Sequence, residues 1–168
     1  MTRRLVTIKW TFYGLWTLLF LLVQQLVLPY IRIGGVHPFL LPMLAAVAAS
    51  FEGKWEGPIF GLVLGFVCDG LFTGAFPCFY AVVLTLAAML AGVAARHLIM
   101  PGLVCSLAVS AAALVLMGLI NTMVFSYSYG TPLTAALWLM ARELLVSLPF
   151  AILVHLAFAR IHRRFSGR

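Results

Sequence analysis

Gly57, Gly61 and Gly65 recur at intervals of four residues, and one more step of four lands on Asp69. Gly53 extends the series backwards. Residues four apart share a helix face. Folded as a helix, 57–69 carries a groove of bare backbone that ends in a carboxylate. In water such a segment is a poor helix, because each glycine costs about 1 kcal/mol relative to alanine. In lipid no water competes for the backbone hydrogen bonds, so the helix persists. The missing side chains then let a second helix come close. The ladder therefore asks for a membrane and for small residues opposite it. Ala45 and Ala49 in the preceding apolar run offer such a face, and Ala87, Ala91 and Ala95 make another small face in the run that follows.

Composition agrees with a lipid environment. Of 168 residues, 64% are hydrophobic and 9% charged, where soluble domains carry about 25% charged residues. A single transmembrane domain over 1–168 is expected. The net charge of +7 is concentrated at the two ends, in Arg3, Arg4 and Lys9 and in Arg160, Arg163, Arg164 and Arg168. Under the positive-inside rule both ends are cytoplasmic, so the number of crossings is even. Basic ends beside a bilayer imply contact with anionic membrane lipids and not with nucleic acid. The first apolar run is too long for a signal-peptide core and is expected to remain as a span. Cys68, Cys78 and Cys105 show no paired spacing and read as small apolar fillers.

Hydropathy divides the chain into six runs, at 10–29, 37–51, 58–72, 78–95, 103–125 and 132–158. Pro38 and Pro42 are expected in the first turn of the second run, where an N–H would be unpaired anyway. The 52–56 loop, with Glu52, Lys54 and Glu56, reads as a solvated cytoplasmic turn or as a contact for a cytoplasmic partner. Between runs, Lys54 and Arg96 fall on the inner side and Arg32 alone on the outer side. The expected fold is an all-α integral membrane bundle of six transmembrane helices with both termini cytoplasmic.

A few polar groups lie within these runs. At about 1.5 Å per residue, Asp69 stands some 16 Å from the inner start of its helix. Arg142 stands about 15 Å from the outer start of its own, nearly the same level in a core about 30 Å thick. Intramembrane charges usually face the bundle interior and pair. An Asp69–Arg142 ion pair is expected, or a network that adds Glu143, with Gln24, Gln25, Asn121 and Thr73 in the same outer half. Such a network either fixes helix register or lines an outward-facing pocket or partner surface. His37, His97, His155 and His162 fall near predicted ends and read as interfacial. No spacing suggests a metal site, a catalytic triad or a phosphate loop, so no enzyme and no cofactor are expected.

The segments Val23-Gln24-Gln25-Leu26-Val27-Leu28-Pro29, Gly34-Gly35-Val36-His37-Pro38 and 57–69 follow one another in an order that resembles the rod-shape-determining protein MreD family. In that family a Gln-containing first span is followed by Gly and Pro before the second, and by a Gly-rich third span with an Asp. Phe39 stands here where many members carry an acidic residue. The resemblance covers roughly residues 10–95. It implies a non-enzymatic scaffold of the cell-elongation machinery in the bacterial inner membrane. Such a scaffold would bind the bitopic protein MreC and, through it, the MreB cytoskeleton and the peptidoglycan synthases. The pattern is also similar to the vitamin-binding S component of energy-coupling-factor transporters, a six-span fold with an outer-half pocket. Those proteins dock their transport partner through an AxxxA face on span 1, where this chain has the bulky Trp16, Leu19, Phe20 and Val23.

Overall fold

A computed structural model describes residues 3–31, 33–52, 55–72, 74, 76–97 and 102–166. Arg32, Gly53, Lys54, Thr73 and Arg168, used in the charge and polarity arguments, lie outside the described residues. Six α-helices follow in order: α1 (Arg3–Leu26), α2 (Leu41–Phe51), α3 (Glu56–Leu71), α4 (Phe79–His97), α5 (Leu103–Tyr129) and α6 (Leu133–Ser166). A single 3-10 turn, Leu28–Tyr30, follows α1. Among the described residues there is no strand, only an isolated bridge between Ile33 and Val36. Gly34 and Gly35 close that bridge with φ of 63° and 83°, a left-handed conformation that glycine adopts without steric penalty.

Helix α2 is the hub. Every residue from Leu41 to Ser50 is buried, and α3, α4, α5 and α6 all pack on it. It is shorter than the 37–51 run implied. Residues 37–40 are not helical, and only Pro42 occupies the first turn. The physical reason is the pair of prolines: Pro38 disfavours helical backbone at His37, and Pro42 has no N–H for the carbonyl four residues back, which its ring would crowd. Helix α1 packs at the edge through one stripe, Tyr13, Thr17, Leu21 and Gln24. Its Tyr13 ring meets Phe158 of α6 edge-on at 5.0 Å.

The glycine ladder is consumed inside the bundle. A Cβ on Gly57 would lie 2.6 Å from the Ala49 Cβ on α2. One on Gly61 would lie 2.7 Å from the Leu84 carbonyl oxygen and 2.9 Å from the Ala88 Cβ on α4. One on Gly65 would lie 2.3 Å from the Ala81 Cα. Helix α3 thus crosses from α2 to α4 with backbone nearly touching backbone. Ala45 is fully buried on α2, and Ala87 and Ala91 are buried on α4.

The opposite face of α3 carries Ile59, Val63 and Phe66, all exposed. A soluble protein would place charge there. Helix α1 likewise exposes Leu15, Leu18 and Leu22. This is a membrane protein. Thr7–Tyr30, Phe79–Arg96 and Leu103–Ser128 are long and apolar enough to cross a bilayer. Helix α6 bends by 47° between Leu133–Ser147 and Phe150–Arg164, and taken as one span makes a fourth. The bend sits at Pro149, which lacks an N–H and clashes with the preceding turn. Length alone therefore gives three or four crossings, fewer than the six hydropathy runs, because α2 and α3 have 11 and 16 residues.

Replacing Gly65 by Val should force α3 and α4 apart and destabilise the bundle by about 1–3 kcal/mol or more. Gly70 has nothing within 4 Å of an added Cβ, so Gly70→Ala should be neutral. Reversible unfolding in mixed micelles, followed by far-UV circular dichroism, checks both.

Candidate functional site

Residues 37–40 lie outside any helix, where unpaired backbone groups are costly. Side chains supply the missing partners. Gln24 of α1 does two jobs: its Nε2 donates to the Pro38 carbonyl (3.2 Å), and its Oε1 accepts from the Leu40 N–H (2.9 Å). The Phe39 N–H donates to Ser147 Oγ of α6 (2.9 Å). Ser147 is fully buried and lies two residues before the Pro149 bend. One side chain from each outer helix thus holds the non-helical lead into α2. Gln25 instead points outward and donates weakly to the Leu71 carbonyl (3.4 Å).

At the other end of α2, Glu52 is not the solvated turn residue the sequence suggested. Its side chain is 2% exposed and receives a hydrogen bond from Lys9 Nζ of α1. His162 Nδ1 of α6 stands 3.7 Å from the second carboxylate oxygen. The buried Tyr13 hydroxyl faces the same carboxylate. Glu52 therefore ties the start of α1 and the end of α6 to the end of α2, so the two basic ends lie at one end of the bundle. The remainder of the 52–56 loop is partly outside the described residues; Trp55 and Glu56 are exposed. His155 is not interfacial as expected: it is buried, with Nδ1 2.7 Å from Ser106 Oγ on α5.

The expected Asp69–Arg142 ion pair is not formed. Asp69 reaches across to the first turn of α4, where Tyr80 N–H donates to Oδ1 (2.9 Å) and Ala81 N–H to Oδ2 (3.0 Å). The first N–H groups of a helix lack internal partners and carry the positive end of its dipole. A carboxylate there compensates both. The glycine ladder makes this possible, since Gly65 already sits against Ala81 one turn below. Arg142 is exposed; its guanidinium lies 5.1 Å from the Trp138 ring centre and donates to the Gly34 carbonyl (3.4 Å). The depth argument matched levels, but levels do not specify azimuth around the bundle.

Glu143 and Asn121 do face one cavity. Both line a crevice of about 390 Å³ between α5 and α6, together with Thr122. Phe125, Leu139 and Met140 supply apolar walls. Among the described residues, no hydrogen bond or ion pair reaches the Glu143 carboxyl or the Asn121 amide. A second, wholly apolar groove of about 480 Å³ separates α4 from α5. Its floor is alanine: Ala87, Ala91, Ala94, Ala108, Ala112 and Ala113.

Sequence reasoning missed Ser147, and it missed the enclosed role of Glu52, which it read as part of a solvated turn or a partner contact. Ser147 had a weak signal, a hydroxyl two residues before a proline inside an apolar run. Glu52 had none beyond its rarity, as one of four acids in the chain; its partners are 43 and 110 positions away. The groups do not form one network: Gln24 is at the non-helical segment, Gln25 at the Leu71 carbonyl, Asp69 at α4, Arg142 at Gly34 and Trp138, and Asn121 and Glu143 line the crevice. Among the described residues no group of three or more His, Cys, Asp or Glu could hold a metal ion. Comparison of the chain with family models, with curated proteins and with solved structures found no match.

Gln24→Leu should leave buried backbone groups of 38–40 unpaired and cost about 1–3 kcal/mol. Gln25→Leu should cost much less. Asp69→Ala should cost about 1–2 kcal/mol through the lost α4 cap, while Arg142→Ala should be mild. Glu52→Ala strands Lys9 and should cost about 3–5 kcal/mol. Monodispersity after heating, by size-exclusion chromatography in detergent, ranks the five variants.

Proposed function

We propose that this chain is a non-enzymatic scaffold of the bacterial cell-elongation machinery in the inner membrane. In this reading it holds the transmembrane helix of an MreC-type bitopic protein. That protein would link it to peptidoglycan synthases and to the MreB cytoskeleton. The reading draws its partner from the resemblance to the MreD family. The observation that carries it structurally is the α4–α5 groove. Six alanines on two facing helices leave a trough into which a single-span helix could press its backbone closely. No charged side chain interrupts it.

Six crossings suit this reading. Residues 37–39 at full stretch, followed by Leu40 and α2, reach at most about 28 Å, close to the thickness of a hydrocarbon core. Helix α3 reaches about 24 Å, and local thinning of the bilayer can accommodate the shortfall. Lys9, Arg160, Arg163 and Arg164 gather at the Glu52 end, which the positive-inside rule makes cytoplasmic.

A second reading is favoured by the α5–α6 crevice, which under the same orientation opens in the outer half. It is an S-component-like subunit that binds a vitamin-sized molecule for an energy-coupling-factor transporter. Affinity purification in mild detergent from the native membrane separates the two. The scaffold reading expects a single-span partner to be recovered with the chain. It also expects the double variant Ala91→Phe, Ala112→Phe to lose that partner while remaining monodisperse. Recovery of ATPase and coupling subunits, with no single-span protein, would overturn it.

A further inference from the structure

Four polar side chains line the α5–α6 crevice, and each can present an oxygen acceptor. Glu143 supplies a carboxyl group, Asn121 an amide carbonyl, and Thr122 and Thr131 hydroxyls. None of the four side chains is engaged in a hydrogen bond among the described residues. The nearest cation in sequence, Arg142, is turned away to Trp138 and the Gly34 carbonyl. Lys9 is paired with Glu52, and His162 stands beside the same carboxylate. A carboxyl group in an apolar wall with no cation of its own is an expensive arrangement. It becomes favourable when an occupant brings the complementary charge.

The acceptor count narrows the occupant. An –NH3+ group has three N–H donors and no acceptor, so it can use several oxygen acceptors around one cavity. A quaternary ammonium has no N–H and cannot use them. The rest of the lining is apolar: Phe125, Leu139, Met140 and Ala135 among others. The volume of about 390 Å³ is that of a small-ligand site. We propose that the α5–α6 crevice binds a primary ammonium group carried on an apolar body, with Glu143, Asn121 and Thr122 as its acceptors. Two sources share this chemistry, the headgroup of phosphatidylethanolamine and a free amphiphilic amine. The crevice would take such a group in a scaffold and in a transporter subunit alike.

The test uses the full chain in detergent and four probes. Phosphatidylethanolamine is titrated against phosphatidylcholine of the same acyl chains by native mass spectrometry. Dodecylamine is titrated against dodecyltrimethylammonium by thermal shift. Each pair differs in the N–H donors. At least one primary-ammonium probe should bind about tenfold or more tightly than its trimethylated counterpart, as charge-assisted hydrogen bonds require. Preference in the lipid pair identifies a headgroup site, and preference in the amine pair a free-amine site. Glu143→Gln, close in size, should bring the preference near unity, and Asn121→Ala should reduce it several-fold. Ala135→Trp narrows the crevice from an exposed position without touching an acceptor, and should weaken binding of the preferred probe at least tenfold. Equal binding within both pairs by the wild type overturns the proposal. So does a preference that survives Glu143→Gln in protein that remains monodisperse.

Discussion

A backbone carbonyl or N–H inside an apolar bundle must find a partner within the protein, and this constraint shapes the whole molecule. Helices meet it internally. Residues 38–40 cannot, because two prolines prevent a helix from beginning earlier than Leu41. Gln24 and Ser147 take over the task, and in doing so bind α1 and α6 to the lead of α2. Remove that compensation and the central helix loses its anchor at one end. Its other end is held by Glu52, through Lys9 of α1 and His162 of α6. The same two outer helices therefore clasp α2 at both ends.

With α2 fixed, the remaining contacts are governed by side-chain size. In lipid there is no hydrophobic drive to bring helices together, so close van der Waals contact and polar satisfaction must do it. The glycine ladder lets α3 lie almost backbone to backbone against α2 and then α4. Asp69 stands one turn beyond the last rung, within reach of the first N–H groups of α4. The close approach and the cap are one device: without Gly65 the carboxylate would stand too far from Ala81. Where small residues are not matched by a neighbour, space remains. The alanine-lined groove between α4 and α5 and the polar crevice between α5 and α6 are two such places, and both functional readings rest on them.

The ladder's face, the membrane setting and the helical class were legible in sequence, because periodicity and composition are local properties. The bend of α6 at Pro149 was not read from the uninterrupted 132–158 run. The pairing of polar groups was not legible. Asp69 and Arg142 lie at similar computed depth, yet Asp69 serves α4 and Arg142 faces outward over Trp138. Rise per residue specifies height along a helix, while pairing depends on which way each helix is turned and which helix stands beside it. Glu52 misled in the other direction. A charged loop residue usually remains solvated, and only the convergence of α1 and α6 encloses this one.

By itself, the amino-acid sequence determined that this chain is helical, belongs in lipid and brings one face of α3 into close contact with another helix. These follow from spacing and from the cost of polar groups in hydrocarbon. Only the tertiary structure decided that α2 is the hub, that Glu52 joins the chain's two basic ends, and that Glu143 and Asn121 share a crevice. Each of those depends on contacts between residues far apart in the chain, and contacts of that kind arise from packing angles that no local pattern encodes.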